Sequence, residues 1–179
     1  MQTIKEKEKK AYEVMKESFG YKNTMAAPHL TKIIVAVGTG RLVKNDKNKN
    51  DFVSDRIAKI TGQKPSVRGA KKSIAGFKIR TGDLVGMMTT LRGKTMYDFA
   101  DKLVNIAIPR TKDFRGIERK VVDDIGNMTI GIKEHTIFPE TGDEEIRDVF
   151  GLAVTFVTTA KTKKEGTQYF ELIGIPFKA

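Results

Sequence analysis

Cysteine is absent from the 179 residues and histidine occurs only twice. The first absence excludes disulfides, thiolate zinc sites, iron–sulfur ligation and cysteine nucleophiles, and fits a reducing cytosolic setting. Long apolar runs are also missing, for no stretch approaches the roughly 18 to 20 residues that a membrane span needs. The start, MQTIKEKEKKAYEVMKESFG, is a charged amphipathic stretch without the apolar core of a secretory signal. A soluble, unexported chain with no membrane partner is expected. No internal repeat, low-complexity tract or long linker is evident, and the length suits one domain, residues 1–179, with residues 1–29 as an N-terminal helix and connector and 30–179 as its body.

Catalytic chemistry is equally sparse. Gly38-Thr39-Gly40 followed by Val43 lacks the third glycine of a dinucleotide fingerprint and reads as a turn. Lys71-Lys72-Ser73 looks like the end of a phosphate-binding P-loop, but the preceding glycine frame is missing. His29 sits in a loop, and His135 beside Glu134 alternates on strand faces, so both read as ordinary polar positions. Asp123-Asp124 before Ile-Gly-Asn has the texture of a turn. No nucleophile, base, metal site, cofactor site or small-molecule substrate site emerges.

What the chain has in excess is positive charge. Lys and Arg number 33 against 22 Asp and Glu, a formal net charge of +11. By segment, residues 1–55 carry +4, residues 56–120 carry +11 and residues 121–179 carry −4. The acidic end is concentrated in residues 139–150, where Glu140, Asp143, Glu144, Glu145 and Asp148 face the single Arg147. Two oppositely charged regions imply two different partners, the basic one a polyanion.

Hydrophobic spacing places the elements. Thr3 and Glu6 have capping-box spacing, Tyr12, Met15 and Phe19 recur on one helical face, and Gly20 is a stop. Residues 30–37 read as a buried strand, and Val53, Ile57 and Ile60 as a helix ending at Gly62. Residues 66–68, 76–80 and 85–91 read as short strands joined by exposed loops. Met96, Phe99, Leu103 and Ile106, widened by Ala100, Val104 and Ala107, form the clearest helical stripe and end at Pro109. Strands are expected at 128–132, 135–138 and 149–159, and a short helix at 167–173. Several strands lie too close in sequence for helical crossovers, so an α+β fold is expected: a twisted, largely antiparallel sheet, helices on one face, basic loops extending from it.

The texture of the basic segment points to RNA. Across residues 62–80 the cations Lys64, Arg68, Lys71, Lys72, Lys78 and Arg80 alternate with glycines and small polar residues, which allows close backbone approach to phosphates. Ile74 and Phe77 could stack on nucleotides or belong to the core. Arg110, Lys112 and Arg115 surround Phe114 in a stretch without helical or strand period. No helix-turn-helix or zinc-finger pattern is present, so folded RNA is favoured over DNA. The competing reading is an RNA-processing or RNA-modifying enzyme, which would share the basic surface but need an acid–base or metal set.

Several stretches resemble, in order and spacing, the bacterial form of ribosomal large-subunit protein five. They are Gly62-Gln63-Lys64-Pro65, Ala70-Lys71-Lys72-Ser73-Ile74-Ala75-Gly76-Phe77-Lys78, Leu91-Arg92-Gly93 with Met96-Tyr97, Pro109-Arg110 with Asp113-Phe114-Arg115-Gly116, and Gly131-Ile132-Lys133-Glu134 with Ile137-Phe138-Pro139-Glu140. The resemblance runs from about Leu30 to Phe177. It implies a structural component of the cytoplasmic ribosome's large subunit that binds 5S rRNA, helps attach it to 23S rRNA in the central protuberance, and carries no cofactor or metal. Residues 70–80, with Lys71, Lys72, Ser73, Gly76, Phe77, Lys78 and Arg80, look like the family's arm toward peptidyl-site tRNA. Gln63 and Thr90 look like its polar sheet contacts to 5S rRNA, with Lys64 and Arg92 as phosphate partners; Arg68, Arg110 and Arg115 extend that rRNA-binding set. Residues 139–150 fall where the family bridges to a basic small-subunit protein, the thirteenth. One position departs: Ala36 stands where the family commonly has asparagine, and Lys32 and Arg41 are expected to compensate through phosphates.

Overall fold

The computed structural model describes residues 3–40, 49–112, 114–141 and 149–178. In chain order they form α1 (Ile4–Phe19), β1 (Leu30–Gly38), α2 (Lys49–Thr61), β2 (Ser66–Gly69), β3 (Leu84–Leu91), α3 (Gly93–Lys102), β4 (Met128–Ile132), β5 (Leu152–Thr158) and α4 (Lys163–Leu172). The strands form one twisted antiparallel sheet in the order β2-β3-β1-β5-β4, so the fold is α+β as expected. Two compact units are distinguishable: Met1–Ile33 with Leu91–Ile130 and Val154–Ala179, and Ile34–Thr90 with Gly131–Ala153.

The first unit holds α1, α3 and α4. Thr3 caps α1 in a complete capping box with Glu6, and Gly20, at φ 67°, closes it in the left-handed region that glycine adopts without strain. The face α1 buries is Ile4, Ala11 and Met15, whereas Phe19 is exposed and stacks on Tyr21. Of the expected stripe, only Met15 is fully buried. On α3, Met96, Phe99, Ala100, Leu103, Val104 and Ala107 are buried as expected, but Ile106 is 44 % exposed. A π turn over Leu103–Ala107, in which the Ile108 N–H donates to the Leu103 carbonyl at 2.9 Å, inserts an extra residue. That shift turns Ile106 outward and puts Ile108 in the core.

Helix α4 starts earlier than the expected residue 167, because Thr162 caps it and accepts the Glu165 N–H. Its Phe170 packs edge-on against Phe156 of β5. Its Gly166 lies against Gly126: a Cβ added at Gly166 would sit 2.5 Å from the Gly126 Cα. The two glycines are therefore a backbone-to-backbone contact that no side chain can replace.

The second unit holds α2, whose Val53, Ile57 and Ile60 are buried as expected, together with Val35, Val37, Met87 and Phe138. Two strand expectations fail here. Residues 76–80 contain a 3-10 turn over Ala75–Phe77, and His135–Ile137 is another. His135 is not an ordinary polar position either. It is buried, stacks on Phe150 at 4.1 Å, and its Nδ1 accepts the Phe150 N–H at 3.4 Å. An imidazole that both stacks and accepts a backbone N–H fits an apolar pocket better than a strand face.

Candidate nucleic-acid interface

Within the second unit, α2 leads into β2 through a turn organised by Thr61. Its buried hydroxyl Oγ1 lies 2.7 Å from the Ile57 carbonyl and 3.0 Å from the Gln63 carbonyl, and Gly62 adopts φ 70°. The turn leaves Gln63 and Lys64 exposed. Gln63 is thus a turn residue, not a sheet position, because the chain enters β2 only at Ser66. Strand β2 then pairs antiparallel with β3, Ser66 opposite Met88 and Arg68 opposite Gly86. Paired residues share a face, so Ser66, Arg68, Gly86, Met88 and Thr90 line the side away from buried Met87, Thr89 and Leu91. Thr90 is half-buried there, on the sheet as expected. Gly86 is required by space, since a Cβ would come 2.9 Å from the Val37 carbonyl oxygen. Ile34 and Ala36 occupy the corresponding alternate positions of β1.

Beyond β2 and β3 the hairpin continues as a hydrogen-bonded arm. Ala70 N–H donates to Asp83 O at 2.8 Å, Gly82 N–H to Ala70 O at 3.0 Å, and Ile74 and Ile79 exchange both bonds at 2.9 and 3.2 Å. The tip is the turn Ala75–Phe77, closed by Lys78 at φ 51°, which alone among the described non-glycine residues adopts a left-handed backbone. Lys71, Lys72, Ser73, Gly76, Phe77, Lys78 and Arg80 are all exposed, with Phe77 at 62 %. Of the two places open to Ile74 and Phe77, both take the surface and neither joins the core. Sequence reasoning missed Asp83, the first acid after Arg68. Its carboxylate accepts the Arg80 N–H at 2.7 Å and shapes the base of the arm, leaving the cations without an acidic partner from it.

Within the first unit, Lys32 is half-buried on β1, on the strand face opposite Ile33. Arg92 is exposed at the start of α3, where its side chain makes no capping bond. Arg110 is exposed in the turn after α3, and Phe114 and Arg115 are exposed in the next segment. That segment is held by the chain's last residues: Ile117 N–H donates to Pro176 O at 2.8 Å and Lys178 N–H to Ile117 O at 2.9 Å. Gly116, at φ 91°, passes so close that a Cβ would be 2.8 Å from Lys178. Of the remaining expected site residues, Glu140 is exposed in the turn Pro139–Thr141. Arg41, Asp143, Glu144, Glu145 and Asp148 lie outside the described residues.

The first unit's carboxylates are employed differently. Glu8 accepts from Leu30 N–H at 2.9 Å and Tyr169 OH at 2.7 Å through one oxygen, and from Tyr97 OH at 2.6 Å through the other. Burial first, and Glu8 second, push the Tyr97 and Tyr169 hydroxyls above the usual phenol range. Tyr21 is raised in the same way by burial and by Glu165, to which its hydroxyl donates.

Comparison with known proteins supplies the family. Residues 84–177 match the C-terminus model of the ribosomal protein L5 family, and residues 23–80 match the model described as ribosomal protein L5. The chain is 51 % identical over 165 residues to large ribosomal subunit protein uL5 of Heliobacterium modesticaldum, covering 92 % of this chain and 91 % of that one. It is 49 % identical over 179 residues to the protein of the same name from Desulforapulum autotrophicum, covering 99 % of both. The Clostridium botulinum protein is 46 % identical over 178 residues, covering 99 % of this chain and 98 % of its own. With both family models and nearly the whole of each relative matched, this chain belongs to the ribosomal protein L5 family.

Proposed function

We propose that this chain, a non-enzymatic structural constituent of the large ribosomal subunit, binds 5S rRNA, helps attach it to 23S rRNA, reaches peptidyl-site tRNA through the arm, and meets a basic small-subunit protein through residues 139–150. The observation that carries the RNA reading is the arm. Arg68, Lys71, Lys72, Lys78 and Arg80 stand exposed with no acid among residues 68–80. A cation without an intramolecular partner retains its full value for a phosphate. Ser66, Arg68 and Thr90 on one strand face, with Gln63 and Lys64 in the preceding turn, supply hydroxyl, amide and cationic donors for register on a folded RNA.

Ala36 offers no amide, so Lys32 carries the phosphate contact of β1 in this reading. Lys32→Ala should therefore weaken 5S rRNA binding more than loss of a lysine far from the strand. The acidic stretch suits a weak contact that reforms quickly between moving subunits, since exposed complementary charges steer more than they hold. A footprint on 5S rRNA with a salt titration tests the reading. Protection should centre on nucleotides lost from the footprint of Gln63→Ala and Arg68→Gln variants. Saturable, salt-insensitive binding or no protection would overturn it.

A further inference from the structure

The turn between α2 and β2 is held more firmly than an exposed connection requires. Residues 62–64 are exposed, yet they are pinned at both ends by buried residues, Thr61 at 4 % exposure and Pro65. Lys64, standing before that proline, is steered to extended backbone. The helix itself is closed without the Thr61 hydroxyl. The Gly62 N–H donates to the Ala58 carbonyl at 2.8 Å, and Gly62 takes the left-handed backbone at φ 70°.

A helical threonine can satisfy its hydroxyl on the carbonyl four residues back, and Ile57 offers that partner at 2.7 Å. That one bond would be enough for a buried hydroxyl. The Thr61 Oγ1 nevertheless also lies 3.0 Å from the Gln63 carbonyl oxygen and accepts the Gln63 N–H at 3.4 Å. Both backbone polar groups of Gln63 therefore meet one buried oxygen. Its side-chain amide is exposed and has no hydrogen-bond partner among the described residues.

An amide recognises RNA through direction. It offers N–H and C=O along fixed lines, whereas an ammonium ion needs little more than proximity to a phosphate. A glutamine on a loose turn would lose backbone as well as side-chain freedom on binding. One whose backbone is already fixed loses only the latter.

We propose that Thr61 is a positioning residue for RNA: its buried hydroxyl fixes the Gln63 backbone, so that the exposed amide meets 5S rRNA in a set orientation. This rests on the reading of Gln63 as a 5S rRNA contact given above. Thr61 acts through Gln63 and, being buried, touches no RNA itself.

The test is 5S rRNA titration, across a salt series, of the full chain carrying Thr61→Val, Thr61→Ser, Gln63→Ala, or Thr61→Val with Gln63→Ala. Thr61→Val keeps the branched shape and removes the hydroxyl, so affinity should fall about three- to tenfold, the equivalent of one ordinary hydrogen bond. Thr61→Ser keeps the hydroxyl and should stay within about twofold of the parent. The log–log salt slope should be unchanged in every variant, since no cation is lost; removing a phosphate-contacting lysine would lower it by about one. In the Gln63→Ala background Thr61→Val should have almost no further effect, because no amide is left to orient. General damage to the fold would weaken binding by the same factor in both backgrounds and would overturn the proposal. So would parental affinity in Thr61→Val beside a weakened Gln63→Ala, or a Thr61→Ser as weak as Thr61→Val, which would assign the effect to the methyl group. Should Thr61→Val not fold, Gly62→Ala reads the same turn. Its methyl meets no atom within 4 Å, so it strains the backbone at φ 70° with the hydroxyl kept. It too should weaken binding, and a loss that is absent, or that persists beside Gln63→Ala, would overturn the role of the turn. Parental affinity in Gln63→Ala, or a wild-type chain that does not bind 5S rRNA, would instead sink the reading of Gln63 and this proposal with it.

Discussion

The Glu8 cluster and the arm of residues 68–83 use charge in opposite ways. In the first, a carboxylate is turned inward and saturated: Glu8 gathers Tyr97, Tyr169 and the Leu30 N–H, and ties α1 to α3, α4 and β1 of its unit. Nearby, Asp101 accepts the Ile4 N–H at 2.8 Å and Glu165 holds Tyr21 and the Lys161 N–H. In the arm, five cations face solvent, and the one acid serves a backbone N–H. The contrast has a physical cause. A carboxylate is a compact acceptor that can satisfy two or three donors at once, whereas lysine and arginine keep their charge on a long stem that reaches water from almost any position. In these two places the acids hold the fold, while the cations of the arm are left for a partner.

Several measurements would break or sharpen this contrast. The largest effect is expected for Glu8→Ala. It removes the carboxylate that accepts the Tyr169 and Tyr97 hydroxyls and the Leu30 N–H, and a buried donor left unmade costs about 1–3 kcal/mol, so urea unfolding should show a loss of about 2–3 kcal/mol; a loss under about 0.5 kcal/mol would mean the cluster is not structural. Gly166→Ala should follow closely, since its new methyl must displace the Gly126 backbone, at about 1–3 kcal/mol for an overpacked contact. Tyr97→Phe removes one bond to a carboxylate and leaves the rest of Glu8 satisfied, so about 1.5 kcal/mol is expected.

Alkaline pH probes the same cluster. Tyr97 and Tyr169 titrate higher folded than unfolded, so their contribution is complete below the ordinary tyrosine value of about 10. It is lost as pH rises beyond that, because the unfolded chain sheds those protons first. Stability should fall from about pH 10 upward, and less steeply in Tyr97→Phe; an identical slope in both would remove Tyr97 from the account.

Much of this was legible in the sequence, and the failures have identifiable causes. The capping box at Thr3, the buried β1 and the Met96–Ala107 stripe declare themselves because periodicity and caps are local. The position of Ile106 did not, since a π turn is a backbone event with no strong residue signature. His135 misled because stacking on Phe150 depends on a residue fifteen positions away. The cations of residues 62–80 were visible as texture, while the inward turn of Glu8 and Glu165 is a tertiary fact.

The most direct test of the contrast is to replace Lys71, Lys72, Lys78 and Arg80 together by glutamine and measure stability and 5S rRNA and tRNA binding on the same preparation. The account predicts unfolding free energy within about 0.5 kcal/mol of the parent, as for exposed surface changes, and a log–log salt slope for tRNA binding reduced by up to about four. A variant that unfolds more easily while keeping its salt slope would show that these cations hold the fold and not the RNA, and would contradict it.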